Sequence, residues 1–171
     1  CSDQIPELNV LVPMPDQSTS DLFLRLYNES GIELDLAVQV LASTEMIAAS
    51  DLVLVASGTA TLEVMLLQKP MVVAYKLSPL TSWVFKTFNL LKAPFVSMPN
   101  LISGKAVVKE LLQDEVTVDN LSTEVMALYR DKKARQTMIE EFGHMKTKLT
   151  CHADAQAARI VSRVIEGEMT V

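Results

Sequence analysis

A short apolar strand that leads almost directly into a helix constrains the fold of this chain most. Residues 51–56 are mostly apolar and rich in valine, which is typical of a buried parallel strand. Residues 60–67 are helix-forming and carry apolar side chains at helical spacing, and only Ser57-Gly58-Thr59 separates the two segments. This order of strand, turn and helix predicts one unit of a parallel α/β sheet.

The Ser57-Gly58-Thr59 turn has the chemistry of a phosphate site. The first N–H groups of a helix lack internal partners and lie at the positive end of the helix dipole. Small residues let a phosphate approach these amides, and the hydroxyls of Ser57 and Thr59 can assist. Glu63, one turn further on, could accept hydrogen bonds from a ribose beside the phosphate. A purely structural role remains open: Thr59 then caps the helix, and Glu63 is a first-turn carboxylate favoured by the dipole.

The same alternation of strand and helix patterns predicts an α/β fold, with a Rossmann-like parallel sheet and helices on both faces. The predicted strands are residues 9–13, 36–40, 51–56, 71–75 and 95–98. The helices between them are 22–30, with capping residues at 18–21, then 45–49, 60–67 and 78–91. After Gly104 the pattern predicts a short turn or helix at 107–113, a helix at 118–130 capped by Thr117, one at 132–149 capped by Asp131, and a last helix at 153–166. We expect a Rossmann-like domain at 1–116 and C-terminal helices at 117–171 that pack on it or on another domain.

Three polar segments are expected to meet at one edge of this sheet. Each follows a predicted strand; they are residues 57–59, 75–79 and 98–100. Ligands of parallel α/β sheets bind outside the carboxyl ends of the strands. The sequence therefore predicts a binding site at this edge.

Composition narrows the classes of function. Hydrophobic residues make up 49% of the 171 residues and charged residues 21%, which is enough to bury one domain under a polar surface. The formal net charge of −6 argues against nonspecific binding of nucleic acid. A local excess of lysines in the middle third would nevertheless suit a diphosphate: Lys69, Lys76, Lys86, Lys92, Lys105 and Lys109.

The cysteines and histidines predict neither a metal site nor a disulfide framework. Cys1 and Cys151 have no metal-ligand spacing, and His144 and His152 lack the i, i+4 spacing of a zinc pair. No stretch approaches the ~18 consecutive apolar residues of a membrane-spanning helix. We expect no bound metal and a cytoplasmic location.

Three segments closely resemble lipid-A-disaccharide synthase, and the likeness runs through nearly the whole chain. They are residues 56–63, 70–79 and 96–102, and residues 110–113 follow at the expected distance. The resemblance implies a two-domain glycosyltransferase of the GT-B type. Such an enzyme transfers 2,3-diacylglucosamine from UDP-2,3-diacylglucosamine to 2,3-diacylglucosamine 1-phosphate (lipid X) and releases UDP. This chain is similar to the C-terminal half, which binds the UDP-sugar.

The resemblance also implies an N-terminal domain with the acceptor site and a proposed catalytic aspartate. That half has no counterpart here, so the catalytic residues of this chain are unknown, and we expect it to be a piece of a longer protein that is inactive by itself. The implied enzyme is cytoplasmic, associates peripherally with the inner membrane and has no nucleic-acid partner.

The resemblance implies a UDP-sugar site with no cofactor and no metal, because no Asp-x-Asp motif is present. Glu63 would bind the ribose, and the turn residues Ser57, Gly58 and Thr59 would bind the diphosphate in place of a metal. The residues implied to contact or line the rest of the site are Asn100, Glu110, Gln113, Tyr75 and Lys76. Ordinary roles are open for these as well: a turn residue for Asn100, surface-helix polarity for Glu110 and Gln113, and a solvated strand end for Lys76.

Several alternatives remain open from the sequence. Residues 80–92 contain the sole tryptophan and either pack on the sheet or contact acyl chains at a membrane surface. A UDP-sugar epimerase of the same architecture is a second functional hypothesis. A third is a non-catalytic nucleotide-binding module that forms a homodimer through its C-terminal helices.

Overall fold

The computed structural model describes residues 1, 4–5, 7–56, 58–76, 95–149 and 162–163. The strands are β1 (Asn9–Met14), β2 (Asp35–Val40), β3 (Val53–Ala56), β4 (Met71–Tyr75) and β5 (Lys109–Leu112). The helices are α1 (Gln17–Ser30), α2 (Ser43–Ala49), α3 (Thr59–Leu66), α4 (Met98–Ser103), α5 (Val118–Arg130) and α6 (Lys132–Leu149). The predicted helices at 78–91 and 153–166 lie outside the described residues, apart from Ser162 and Arg163.

All described strand pairs are parallel, as the alternation of strands and helices predicts. β1 pairs with β2, and β3, β4 and β5 form a second hydrogen-bonded group in that order. Helices lie on both faces. The carboxyl ends of β3, β4 and β5 therefore lie along one edge, where Ala56, Tyr75 and Leu112 end their strands. The predicted α/β class with a Rossmann-like arrangement is confirmed.

The predicted strand at 95–98 is wrong. Phe95 and Val96 have no regular structure, and Ser97 is the N-cap of α4. Pro99 stands in the first turn of this helix, where its missing N–H costs nothing and its fixed φ favours helical geometry. The apolar run suggested a strand, but the backbone N–H groups of Val96 and Ser97 donate to the Glu110 carboxylate rather than to a neighbouring strand.

The strand that takes its place is β5, in a segment predicted as a short turn or helix. Val72, Val73, Ala74 and Tyr75 of β4 pair with consecutive residues from Lys109 to Leu112. This segment mixes charged and apolar residues at a spacing that suits an amphipathic helix equally well. The backbone partner that makes it a strand lies more than thirty positions earlier in the chain, so local pattern could not identify it.

The caps of the longer helices were predicted in part. Thr117 accepts a hydrogen bond from the backbone N–H of Asn120, and Asp131 accepts one from Ala134, so both predicted caps are confirmed. α1 instead begins earlier than predicted, because Asp16 is its N-cap. The backbone N–H of Thr19, which donates to the Asp16 carboxylate, lowers the pKa of Asp16 below its usual value.

The core forms between the β3–β5 sheet and the helices α3 and α6. Its fully buried side chains include Phe142, Met65, Met71, Val64 and Val73. α5 contacts β4 and β5, and α6 contacts α3 and α4, so residues 118–149 pack onto the sheet that precedes them. No helix within the described ranges is long and apolar enough to cross a membrane.

Candidate functional site

The turn between β3 and α3 has a backbone that favours glycine. Gly58 is the N-cap of α3 with φ 111° and ψ −152°, a region that residues with a side chain rarely enter. The N-cap makes no side-chain hydrogen bond, and both Gly58 and Thr59 are exposed. Ser57 lies outside the described residues. An exposed helix N-terminus that follows a parallel strand through a glycine turn can receive an anion on its amides.

Thr61, one of the residues not singled out from the sequence, joins this turn to α4. Its side chain is completely buried. Its hydroxyl donates to the carbonyl oxygen of Gly58 at 2.7 Å and accepts from the backbone N–H of Met98 at 3.1 Å. The Gly58 turn and the start of α4 are thereby held together. The only sign of this role in the sequence was a threonine in the first turn of the predicted helix, two positions after Thr59.

Glu63 is half-buried, and its carboxylate is hydrogen-bonded to a different helix. Ser43 Oγ donates to Oε2 at 3.1 Å, and Thr44 Oγ1 donates to Oε1 at 2.6 Å. Both hydroxyls belong to the first turn of α2, which follows β2. The carboxylate that was predicted to bind a ribose is thus held in place near the carboxyl edge of the sheet.

Asn100 is buried, with 1% of its surface exposed, and its amide is bonded within the chain. Oδ1 accepts from the backbone N–H groups of Val107 at 2.7 Å and Val108 at 2.9 Å. Nδ2 donates to the carbonyl oxygen of Val108 at 2.9 Å and to Glu110 Oε1 at 2.8 Å. This arrangement makes Asn100 the link between α4 and the start of β5.

Glu110 is a strand residue whose half-buried carboxylate gathers donors from the start of α4. It accepts from the backbone N–H groups of Val96 and Ser97, from Asn100 Nδ2, and from Ser97 Oγ at 2.5 Å. Surface-helix polarity is therefore wrong as an account of Glu110. The carboxylate fixes the chain just before α4 against the sheet.

Tyr75, Lys76 and Gln113 lie at the carboxyl edge itself. Tyr75 ends β4 and pairs with Leu112, so Lys76 and Gln113 follow neighbouring strands. Gln113 has a left-handed backbone with φ 50°. Leu41, which directly follows β2, has φ 58° and is 82% exposed. Gln68, between α3 and β4, has the same conformation with φ 55°, so this conformation is not confined to this edge. Residues 98–100 begin α4 and do not follow a strand; the segment that follows the third strand of this group is the one after β5.

Three of the six lysines of the middle third, Lys69, Lys105 and Lys109, lie away from this edge. Lys105 Nζ lies 2.6 Å from Glu141 Oε1, and Lys109 Nζ lies 3.7 Å from Glu124 Oε1; both lysines are at the amino end of β5. The hydrogen bond from Lys105 lowers the pKa of Glu141 below its usual value. Of the other lysines, Lys69 precedes β4, Lys76 follows it, and Lys86 and Lys92 lie outside the described residues. The expected lysine-rich binding surface is wrong for Lys69, Lys105 and Lys109.

Within the described ranges, no group of three or more His, Cys, Asp or Glu side chains could hold a metal ion.

These features define a Rossmann-like α/β domain with polar turns at the carboxyl edge of its parallel strands. A comparison with protein families then identifies the particular group. Residues 1–161 match the model of the family described as lipid-A-disaccharide synthetase. The chain belongs to this family, as the sequence motifs predicted.

Curated relatives carry the same assignment. The chain is 41% identical over 172 residues to the lipid-A-disaccharide synthase of Cellvibrio japonicus, with 97% of this chain and 42% of that relative covered. It is 38% identical to the lipid-A-disaccharide synthase of Aeromonas hydrophila, with 94% and 41% covered. The corresponding enzyme of Escherichia coli strain SMS-3-5 is 39% identical, with 91% and 40% covered. The chain thus spans about two fifths of the length of the curated relatives it matches.

Proposed function

We propose that this chain is the UDP-sugar-binding half of a glycosyltransferase of lipid A biosynthesis. The whole enzyme transfers 2,3-diacylglucosamine from UDP-2,3-diacylglucosamine to lipid X and releases UDP. One observation carries the proposal: in a chain of this family, the glycine turn at Gly58 and the fixed carboxylate of Glu63 stand on the same short helix at the carboxyl edge. That edge is where parallel α/β sheets bind nucleotides.

The residues of α3 and the preceding turn would bind the two parts of UDP. The amides at Gly58 and Thr59, with the Ser57 and Thr59 hydroxyls, would hold the diphosphate at the positive end of the helix dipole. Charge that develops on the departing UDP would be stabilised there without a metal. Glu63 would accept hydrogen bonds from the ribose hydroxyls.

The other candidate residues fall into two groups, those that lie at the carboxyl edge and those that hold α4 in place. Tyr75, Lys76 and Gln113 would line the sugar side of the site, because they end or follow neighbouring strands. Asn100 and Glu110 would position the site by holding the start of α4, since their polar atoms are bonded to residues 96–108 and to each other.

The acceptor site and the catalytic base would belong to the part of the relatives that this chain does not match. Residues 1–116 would form the nucleotide domain, and α5 and α6 pack onto its sheet. We place the whole enzyme on the cytoplasmic face of the inner membrane, where its lipid substrates would be available. Its partners would be the two lipid substrates and the second domain, with no nucleic acid.

The isolated 171-residue chain is expected to bind UDP but to form no tetraacyl disaccharide. The physical reason is that the nucleotide contacts lie within the chain, whereas no acceptor contacts are assigned to it. Calorimetric titration with UDP and a mass-spectrometric assay with both lipid substrates test this, with the Cellvibrio japonicus enzyme as the positive control. Formation of the disaccharide, or failure to bind UDP, contradicts the assignment. Conversion of the UDP-sugar without a lipid acceptor would indicate an epimerase instead.

Replacement of Gly58 with alanine is expected to lower both stability and UDP affinity. The added Cβ has open space around it, so the cost is backbone strain at positive φ, about 1–3 kcal/mol. A turn that relaxes from this strain no longer aims its amides, and we expect affinity to fall by up to about tenfold.

The matched control for this prediction is Gly31→Ala. Gly31 also has a positive φ, 67°, and open space around a Cβ, but it ends α1 on the way into β2, away from the carboxyl edge. Gly31→Ala should lose about 1–2 kcal/mol of stability, the cost of a Cβ in the left-handed region, and keep its UDP affinity. Melting curves measure the stability of both variants, and calorimetric titration measures their UDP affinity. Equal UDP affinity in Gly58→Ala and the unmodified chain would contradict the role of the Gly58 turn in binding the diphosphate.

A further inference from the structure

The carboxylate of Glu63 accepts hydrogen bonds from two hydroxyls that belong to another helix. Ser43 and Thr44 are the first two residues of α2. Each donates to a different carboxylate oxygen, Ser43 to Oε2 at 3.1 Å and Thr44 to Oε1 at 2.6 Å. The contact spans two βα units, because α2 follows β2 and α3 follows β3.

These hydroxyls are not used to cap their own helix. Serine and threonine near a helix start usually bond to local backbone groups. Here the N-cap of α2 is Ala42, which makes no side-chain cap, and both hydroxyls are directed to Glu63 instead. Because both hydroxyls of this first turn donate to one carboxylate, they fix the orientation of that carboxylate.

The remaining hydrogen-bonding capacity of the carboxylate fits a vicinal diol. An ionised carboxylate offers about two acceptor sites on each oxygen, and Ser43 and Thr44 occupy one on each. One acceptor site on each oxygen is left. Neighbouring hydroxyls such as the 2′- and 3′-OH of a ribose present two donors at a matching spacing. A freely rotating glutamate would lose rotamer entropy on binding them, and the two hydroxyls reduce that loss because they fix the side chain beforehand.

We propose that Ser43 and Thr44 are positioning residues for ribose recognition, acting through Glu63. The inference rests on the proposed function, since it takes Glu63 as the ribose ligand. Ser43 and Thr44 do not contact the nucleotide; they set the plane of the carboxylate that does. Discrimination between ribose and deoxyribose then depends on α2 as well as on α3.

The test is UDP titration of the double variant Ser43→Ala/Thr44→Val beside the unmodified chain, repeated with 2′-deoxy-UDP. We expect UDP affinity to fall about three- to tenfold and the preference for UDP over 2′-deoxy-UDP to narrow by a similar factor. Combined with Glu63→Gln, the double variant should cause little further loss. Thr44→Ser, which keeps the hydroxyl, should retain the affinity.

Ser50→Ala is the matched control, because the Ser50 hydroxyl donates to the carbonyl oxygen of Ile47 at the other end of α2. It should leave both nucleotide affinities unchanged. If Glu63→Gln weakens UDP binding while the double variant keeps the full preference for UDP, the positioning role is wrong and the proposed function stands. A double variant with a lower melting temperature and an unchanged preference for UDP over 2′-deoxy-UDP also contradicts the positioning role, because the two hydroxyls then only join α2 to α3. If the unmodified chain fails to bind UDP, the proposed function and this inference both fail.

Discussion

Replacement of Glu63 with glutamine is expected to weaken UDP binding by roughly ten- to a hundredfold, because hydrogen bonds to a charged group contribute about 1.5–3 kcal/mol net. Glutamine keeps the shape of the side chain but removes the charge and turns one acceptor oxygen into a donor. That donor would face a hydroxyl of Ser43 or Thr44, which can turn to accept from it, so the loss falls on the ribose hydroxyls, which lose an acceptor and its charge. Glu63→Ala should weaken binding at least as much.

Calorimetric titration with UDP and a melting curve on each variant measure the two effects separately. The domain should remain folded, because Glu63 is only half-buried and even Glu63→Ala removes just its two hydrogen bonds to Ser43 and Thr44, each worth about 1 kcal/mol net. Glu45→Gln is the control: Glu45 is an exposed carboxylate in the first turn of α2, one residue after Thr44. Unchanged affinity in Glu63→Gln together with a lower melting temperature would mean that Glu63 is a structural link between α2 and α3.

Replacement of Asn100 with alanine is expected to destabilise the domain by about 3–5 kcal/mol, because several buried polar groups would lose their partners at once. The backbone N–H and carbonyl oxygen of Val108 would lose the Asn100 amide, and the Val107 N–H would keep only its bond to the carbonyl oxygen of Lys105. Glu110 would also lose one of its donors. The link between α4 and β5 would therefore weaken.

Thermal melting measures this loss, which corresponds to a fall in Tm of roughly 6–20 °C at about 2–4 °C per kcal/mol for a domain of this size. Asn28→Ala makes the same change at an exposed position of α1 and should leave the melting temperature nearly unchanged. UDP titration below the melting transition separates the two roles of Asn100. A large loss of affinity with an unchanged melting temperature would make it a direct ligand contact and contradict the positioning role.

Asn100 and Glu110 show that a sequence does not distinguish a residue that contacts the ligand from one that positions the site. The resemblance marks both as important and implies contact with the sugar or a phosphate. The structure describes them as a hydrogen-bonded pair that fixes residues 96–108 against β5. Both roles require a polar residue near the same turn, so the sequence looks the same whether the residue holds a binding loop or contacts the ligand.

The sequence by itself determined the features that rest on local chemistry. Apolar runs and helical spacing placed β1 to β4, and α3, within two residues, and Thr117 and Asp131 capped the helices they were expected to cap. The Gly58 turn between β3 and α3 was also evident, because a glycine between a buried strand and a helix needs no distant partner to be recognised.

Only the tertiary structure decided the features that depend on partners far along the chain. β5 is a strand because β4 supplies its backbone hydrogen bonds, and residues 95–98 are not a strand because Val96 and Ser97 donate to Glu110 instead. Ser43 and Thr44 acquire their part in the candidate site through contacts with Glu63, about twenty positions away. Periodicity and caps report interactions within one or two turns of a helix. Which distant side chains meet is set by how the βα units stack.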